Sequence, residues 1–190
     1  MNDQHLEFLV TDTWRELLRD QIVPWALGET DLGDDLLEIG PGPGLTTDLL
    51  HTRVGALTAV EIDESLADAL ATRFAGTNVT VVPADATDLP LPDGRFTAAV
   101  CFTMLHHVPT VAGQDALFAE AARVLRPGGT FVASDSVASA DLEALHDDDV
   151  YNPVDPTTVG DRLRGAGFVD VDVEANPFGW RARARTAADV

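Results

Sequence analysis

The sequence predicts a doubly wound α/β fold: a mostly parallel seven-stranded sheet with helices on both faces, preceded by an N-terminal helical extension. Three observations carry this. The chain has 190 residues, which suits one domain and can bury on the order of 70% of the unfolded surface. After residue 34, short apolar runs alternate with stretches of helical periodicity, the order of βαβ units. The runs are apolar enough to be covered on both faces, as parallel strands are.

The elements follow in order. Thr13-Trp-Arg-Glu16 has the spacing of a capping box, and Trp14, Leu17, Leu18 and Ile22 then recur at helical spacing. Pro24 kinks or ends that helix, and Gly28 lies just past it. The strand candidates are 36–39, 57–62, 79–82, 96–102, 130–133 and 169–173. The helix candidates between them are 46–51, 64–74, 114–125 and 157–166. Asp63 is a predicted N-cap, Asp155 caps a helix that opens on Pro156, and Pro127-Gly128-Gly129 turns the third helix into the next strand. Arg181, Arg183 and Arg185 alternate with Trp180, Ala182 and Ala184, the period of a final strand with one basic face. That face reads either as a rim pairing with surface acids or as a clamp for an acidic acceptor.

Composition excludes several chemistries. Asp and Glu number 32 against 12 basic residues, a formal net charge of −20, and every basic residue is an arginine. Without lysine there is no Gly-Lys-Ser/Thr phosphate loop, kinase lysine, lysine Schiff base or Tyr-Lys dehydrogenase pair. A chain this acidic is not expected to bind nucleic acid or an anionic membrane. Mean hydropathy is +0.04, with no run near the roughly 18 apolar residues of a membrane span. The polar start, Met1-Asn-Asp-Gln-His5, does not read as a signal peptide, and the single cysteine, Cys101, suits a reducing compartment, so the expected location is cytoplasmic.

The chemistry is expected beyond the carboxyl ends of the strands. The first strand runs into Glu38-Ile-Gly40-Pro-Gly42-Pro-Gly44. Alternating glycines let backbone approach a ligand closely, ahead of a helix N-terminus. Leu45 stands where a dinucleotide fingerprint has its third glycine, so the loop suits a nucleoside better than a pyrophosphate. Glu61 closes the second strand 21 residues after Gly40; it reads as a ribose acceptor or as a solvated strand-end acid. Asp85 and Ala86 follow the third strand and read as an ordinary turn or as an adenine contact.

Taken in order, Glu38–Gly44, Val60-Glu-Ile-Asp63, Ala84-Asp-Ala86, Leu89–Phe96, Met104-Leu-His-His-Val108 and Val124-Leu-Arg-Pro-Gly-Gly129 resemble one family. It is the class I S-adenosylmethionine-dependent methyltransferases, in the subgroup that includes quinone-biosynthesis and other small-molecule enzymes. The resemblance covers residues 35–135, and Gly165-Ala-Gly-Phe168 resembles the turn into the family's sixth strand. Ala84 and Thr97 depart from the pattern, where glycine and aspartate are frequent. No Asn/Asp-Pro-Pro-aromatic signature follows the fourth strand, which argues against methylation of nucleic-acid base amines.

The resemblance implies a Rossmann-like methyltransferase fold in one domain, 1–190. Residues 1–30 would form a helical lid, 35–135 the cofactor core, and 136–190 the acceptor side and last strands. It implies S-adenosylmethionine as cofactor, S-adenosylhomocysteine as product, and a small-molecule acceptor. Gly40, Gly42 and Gly44 would face the methionine moiety, Glu38 and the Phe102 carbonyl its ammonium, Glu61 the ribose, and Asp85 and Ala86 the adenine. A carboxylate-rich site suits a ligand with two cationic groups. His106 and His107 are general-base candidates or helix caps. Trp14, Trp25, Met104 and Tyr151 are candidates for the acceptor wall. The run His146-Asp-Asp-Asp149 reads as a metal cluster or as a solvated loop; consecutive acids in a loop are more often solvated, so no metal is expected. A monomer or homodimer is expected. The rival readings are a nicotinamide-dependent oxidoreductase and a non-catalytic cofactor-binding module.

Overall fold

The computed structural model describes residues 3–189. The helical extension comprises α1 (Asp3–Leu9), α2 (Asp12–Leu17), a π-helical turn at Leu18–Ile22, and α3 (Val23–Leu27). Thr11, not Thr13, caps α2: its Oγ1 accepts from Trp14 N at 3.2 Å. A capping box needs non-helical backbone at its first residue, and Thr13 already lies inside the helix. Pro24 does not end the helical run; it sits in the first turn of α3, directly after the π-helical turn, where the hydrogen-bond pattern changes.

The rest alternates. β1 (Asp35–Ile39), α4 (Leu45–Leu50), β2 (Ala56–Glu61), α5 (Glu64–Arg73), β3 (Val79–Pro83), β4 (Phe96–Phe102), α6 (Val111–Val124) and β5 (Leu125–Ser136) form the core. Then come α7 (Ala140–Leu145), α8 (Pro156–Gly165), β6 (Phe168–Ala175) and β7 (Gly179–Thr186). Asp63 and Asp155 cap α5 and α8, accepting from Leu66 N and Thr157 N. α6 starts at Val111, earlier than its apolar spacing indicates, because Thr110 accepts from Gly113 N. The Pro127–Gly129 segment is not a separate turn. It bulges inside β5, whose register against β4 jumps from Phe96–Leu125 to Ala98–Thr130.

The sheet has seven strands in the order β3-β2-β1-β4-β5-β7-β6. All pairs are parallel except β5–β7 and β6–β7. Period two sorts the side chains to two cores. Leu37, Ile39, Ala99, Cys101, Phe131 and Ala133 pack with α6 and α8 residues such as Leu117, Phe118 and Leu163. Leu36, Leu57, Ala98, Val100 and Val132 pack with Val23, Ala26 and Leu27 of α3 and Leu50 of α4. Among the described residues, no helix is long and apolar enough to cross a membrane.

Phe131 is fully buried, edge-on to Phe118 at 6.0 Å and stacked on Phe168 at 5.2 Å. Phe131→Ala is expected to cost about 3–5 kcal/mol in urea unfolding, because a cavity opens between the sheet and two helices.

Candidate active site

The chain winds outward from β1 to β3, then crosses back to β4 on the other side of β1. Loops leaving β1 and β4 therefore part, and a crevice opens at their carboxyl ends. A cavity of about 450 Å³ lies there, within the range of small-ligand sites. Its floor is Gly40–Pro43, and Glu61–Asp63, Ala84–Thr87, Phe102–Met104 and His107 form its walls. Leu9, Trp14 and Leu18 of the helical extension also border it.

The floor depends on glycine. Gly40, Gly42 and Gly44 have φ of +66°, +53° and +81°, a region L-residues enter at a cost. A Cβ at Gly40 would also collide with Met104 Cγ. The bend is pinned from several sides. Gly40 N donates to Val60 O at 2.9 Å. Arg73 donates to Pro43 O at 2.9 Å and Gly44 O at 2.7 Å. Glu38 lies beneath, accepting from the Thr46 hydroxyl and, at 2.7 Å, from that of Thr47. Burial pushes its carboxyl up to about 7, against the pull of the two hydroxyls. Neither Glu38 nor Gly44 borders the cavity; both support its floor, because the strand's alternation turns Glu38 into the sheet–helix interface.

Glu61 is buried and does border it. Its Oε2 accepts from Gly42 N at 2.9 Å and its Oε1 from Asp63 N at 3.0 Å. The carboxylate thus ties the end of β2 to the floor. Asp85 forms a turn, accepting from the amide and hydroxyl of Thr87, each at 2.8 Å, and it borders the same cavity with Ala86. Turn former and cavity wall are here one residue. After Phe102, Thr103 takes φ +51°, an outlier for a β-branched residue.

The two histidines part company. His107 borders the cavity; His106 does not. His106 is buried, with Nδ1 2.7 Å from Asp135 Oδ1 and its backbone N donating to Oδ2 at 3.0 Å. Burial alone would lower its pKa, but the charge and hydrogen bond of Asp135, with Asp149 behind, hold it above the ordinary value. Tyr151 does not border the cavity either; its ring stacks on His146 at 4.7 Å. His146 in turn lies against His106 and His107, at 4.9 and 5.1 Å between ring centroids. Neither Asp135 nor this cluster was evident from sequence, since 29 and about 40 residues separate the partners. The one available signal was a histidine isolated among acids in a short insert.

Two of the three β7 arginines are committed elsewhere, and none of the three borders the cavity. Arg181 pairs with Asp172 and Glu174 on β6, and Arg183 donates to Ala26 O and Trp25 O at 2.9 and 3.1 Å. They fasten α3 to the terminal hairpin and form no clamp at the cavity. Trp25 borders a second cavity of about 500 Å³, with Ser134–Ser136 and Phe178, which shares Thr103 with the first.

Residues 37–133 match the family described as a methyltransferase domain. Over 116 residues the chain is 30% identical to a probable S-adenosylmethionine-dependent methyltransferase of Mycolicibacterium smegmatis, covering 61% of this chain and 43% of that one. Over 74 residues it is 42% identical to ribosomal RNA small subunit methyltransferase A of Geobacter sulfurreducens, covering 37% and 27%. The chain thus spans less than half the length of these curated relatives. A crystal structure of an S-adenosylmethionine-dependent methyltransferase from Aquifex aeolicus shares the fold, with a TM-score of 0.77, 20% identity, and coverage of 98% and 100%.

Glu38 gives a pH prediction. Its folded value of about 7 lies above the ordinary 4.5, so the folded state holds the proton more tightly than the unfolded chain. Its contribution is full below pH 4.5 and is lost as pH rises through about 7. Glu38→Gln is expected to remove this decline. Urea unfolding of both proteins from pH 4.5 to 8 measures it: an identical slope in the variant contradicts the assignment.

Proposed function

The chain belongs to the methyltransferase domain family, and on that premise we propose that it transfers the methyl group of S-adenosylmethionine to a small-molecule acceptor. The observation that carries the reading is convergence. The glycine bend, the Glu61 carboxylate and the Asp85–Ala86 turn come from three separate strand ends and border one cavity. A nucleoside laid across them meets an acceptor for its ribose hydroxyls at Glu61, an acceptor for its adenine amine at Asp85, and an amide at Ala86. The floor of backbone groups leaves room for the methionine chain, and Glu38 acts beneath it as support.

The mechanism asks little covalent chemistry of the protein. The sulfonium is already activated, so a nucleophile displaces it in line at the methyl carbon and S-adenosylhomocysteine leaves as a neutral thioether. Holding the two reactants in line contributes on the order of 7–11 kcal/mol. Trp14 and Met104 are among the apolar groups that exclude water. Of the clustered histidines, His107 alone borders the cavity.

A small acceptor is supported by charge and size. A protein with net charge −20 repels a polyanion, and the insert after β5 is short. The second reading, methylation of ribosomal RNA, is favoured by the 42% identity to a ribosomal RNA enzyme, which is confined to 74 residues.

Calorimetry is expected to show one S-adenosylhomocysteine bound per chain. Glu61→Ala should weaken it roughly 10–100-fold, because a charged hydrogen-bond acceptor is lost. NADH binding with no S-adenosylhomocysteine binding would point to an oxidoreductase. Supplied with labelled S-adenosylmethionine, a metabolite extract and ribosomal RNA together, the protein should put label into the small-molecule fraction. Label in the RNA would replace the acceptor, and cofactor binding with no transfer would favour a binding module.

A further inference from the structure

Three imidazoles meet beside the cavity. His106 and His107 sit on the short 3₁₀ turn after β4, and His146 follows α7. Their ring centroids lie 4.2, 4.9 and 5.1 Å apart, and one nitrogen from each falls within 4.8 Å of the others. His106 and His146 are buried. Burying polar rings together forfeits their hydration, which three phenylalanines at these positions would not.

The rings are also oriented. His106 Nδ1 bonds to Asp135 Oδ1 at 2.7 Å, and Asp135 is itself buried and held by the amides of His106 and Ser136. His146 Nδ1 donates to Leu142 O at 2.6 Å. In each case the neighbouring oxygen accepts a hydrogen bond from Nδ1–H, so that in the neutral ring it is Nε2 that can ligate. A carboxylate behind one imidazole and a carbonyl behind another is the outer arrangement of metal-binding histidines. Asp149 borders the same cavity and adds negative charge on the side where a cation would sit.

We infer that His106, His107 and His146 form a three-imidazole site for zinc at the acceptor end of the methyl-transfer cavity. Three neutral nitrogens and one further position is the ligand set of a catalytic zinc. Tetrahedral zinc with bonds of about 2.0–2.1 Å places its ligand nitrogens roughly 3.4 Å apart, so the widest pair must close by somewhat more than ~1 Å. The segment that would shift is α7, which has six residues, none of them buried. Because His107 borders the cavity, the fourth position faces the space where an acceptor would lie.

A hydroxyl or thiol acceptor would occupy that fourth position. Coordination lowers its pKa and its proton passes to water. A lone pair on the oxygen or sulfur then forms the bond to the methyl carbon as the methyl–sulfonium bond breaks, its electron pair staying on the cofactor's sulfur. This use of the metal rests on the methyl-transfer reading; metal binding itself does not.

The test uses the full chain after dialysis against EDTA. Calorimetric titration with ZnCl₂ should show one tight equivalent, and CoCl₂ should give the strong visible absorption of four-coordinate cobalt without a thiolate charge-transfer band. His146→Ala should weaken zinc more than 10-fold, and Asp135→Asn roughly 10-fold, through loss of the orienting carboxylate. Zinc binding no tighter in the natural chain than in a folded His107→Ala/His146→Ala double variant overturns the site. So does a cobalt spectrum of six-coordinate type in the natural chain, which needs no variant. S-adenosylhomocysteine calorimetry on the same samples separates the two claims. Cofactor bound without zinc sinks the metal site alone, and zinc bound without cofactor sinks the methyl-transfer reading alone.

Discussion

The hydrogen bond from Gly42 N to Glu61 Oε2, at 2.9 Å, joins the two features on which the cavity depends. One is a backbone that bends through the left-handed region three times in five residues. The other is a carboxylate held at the neighbouring strand end. Each needs the other. Without the glycines the chain could not double back over the ends of β1 and β2. Without the acid, a buried amide would lose its partner at the point where the bend is tightest. Arg73 pins the far side through two carbonyls, so the floor is fixed by hydrogen bonds to two elements, β2 and α5.

The electrostatics follow from that floor. The proposed ligand carries two cationic groups, and acids but, among the described residues, no arginine border the cavity; Arg73 reaches its floor only from behind. Arg181 and Arg183 are spent on β6 and α3. Glu38, in contrast, is too deeply buried to carry full charge at neutral pH. Its two threonine bonds make it a structural peg between β1 and α4. The acids near the cavity thus divide by burial and partners rather than by residue type.

The histidine cluster lies on the other side of the same crevice. His106 and His107 are neighbours in sequence, yet one faces inward to Asp135 and the other borders the cavity. The short 3₁₀ turn produces this split, since adjacent residues there point in different directions. The insert carrying His146 then closes over them. Asp135 near the end of β5 links this cluster to the sheet.

The sequence alone determined the layered fold, because apolar runs of strand length alternating with capped helices have few other packings. It also determined which strand ends matter. A glycine bend cannot hide, since glycine is the residue that takes positive φ without strain, and an acid one strand later is equally plain. Parity within β1 was legible too, yet it was the folded sheet that turned Glu38 away from the cavity. Tertiary structure decided everything that joins distant segments: Asp135 under His106, His146 against His107, Arg183 on α3, and Tyr151 removed from the cavity wall. Those contacts depend on where loops come to rest on the sheet. Loop paths are set by packing across the whole domain, and local spacing carries no record of it.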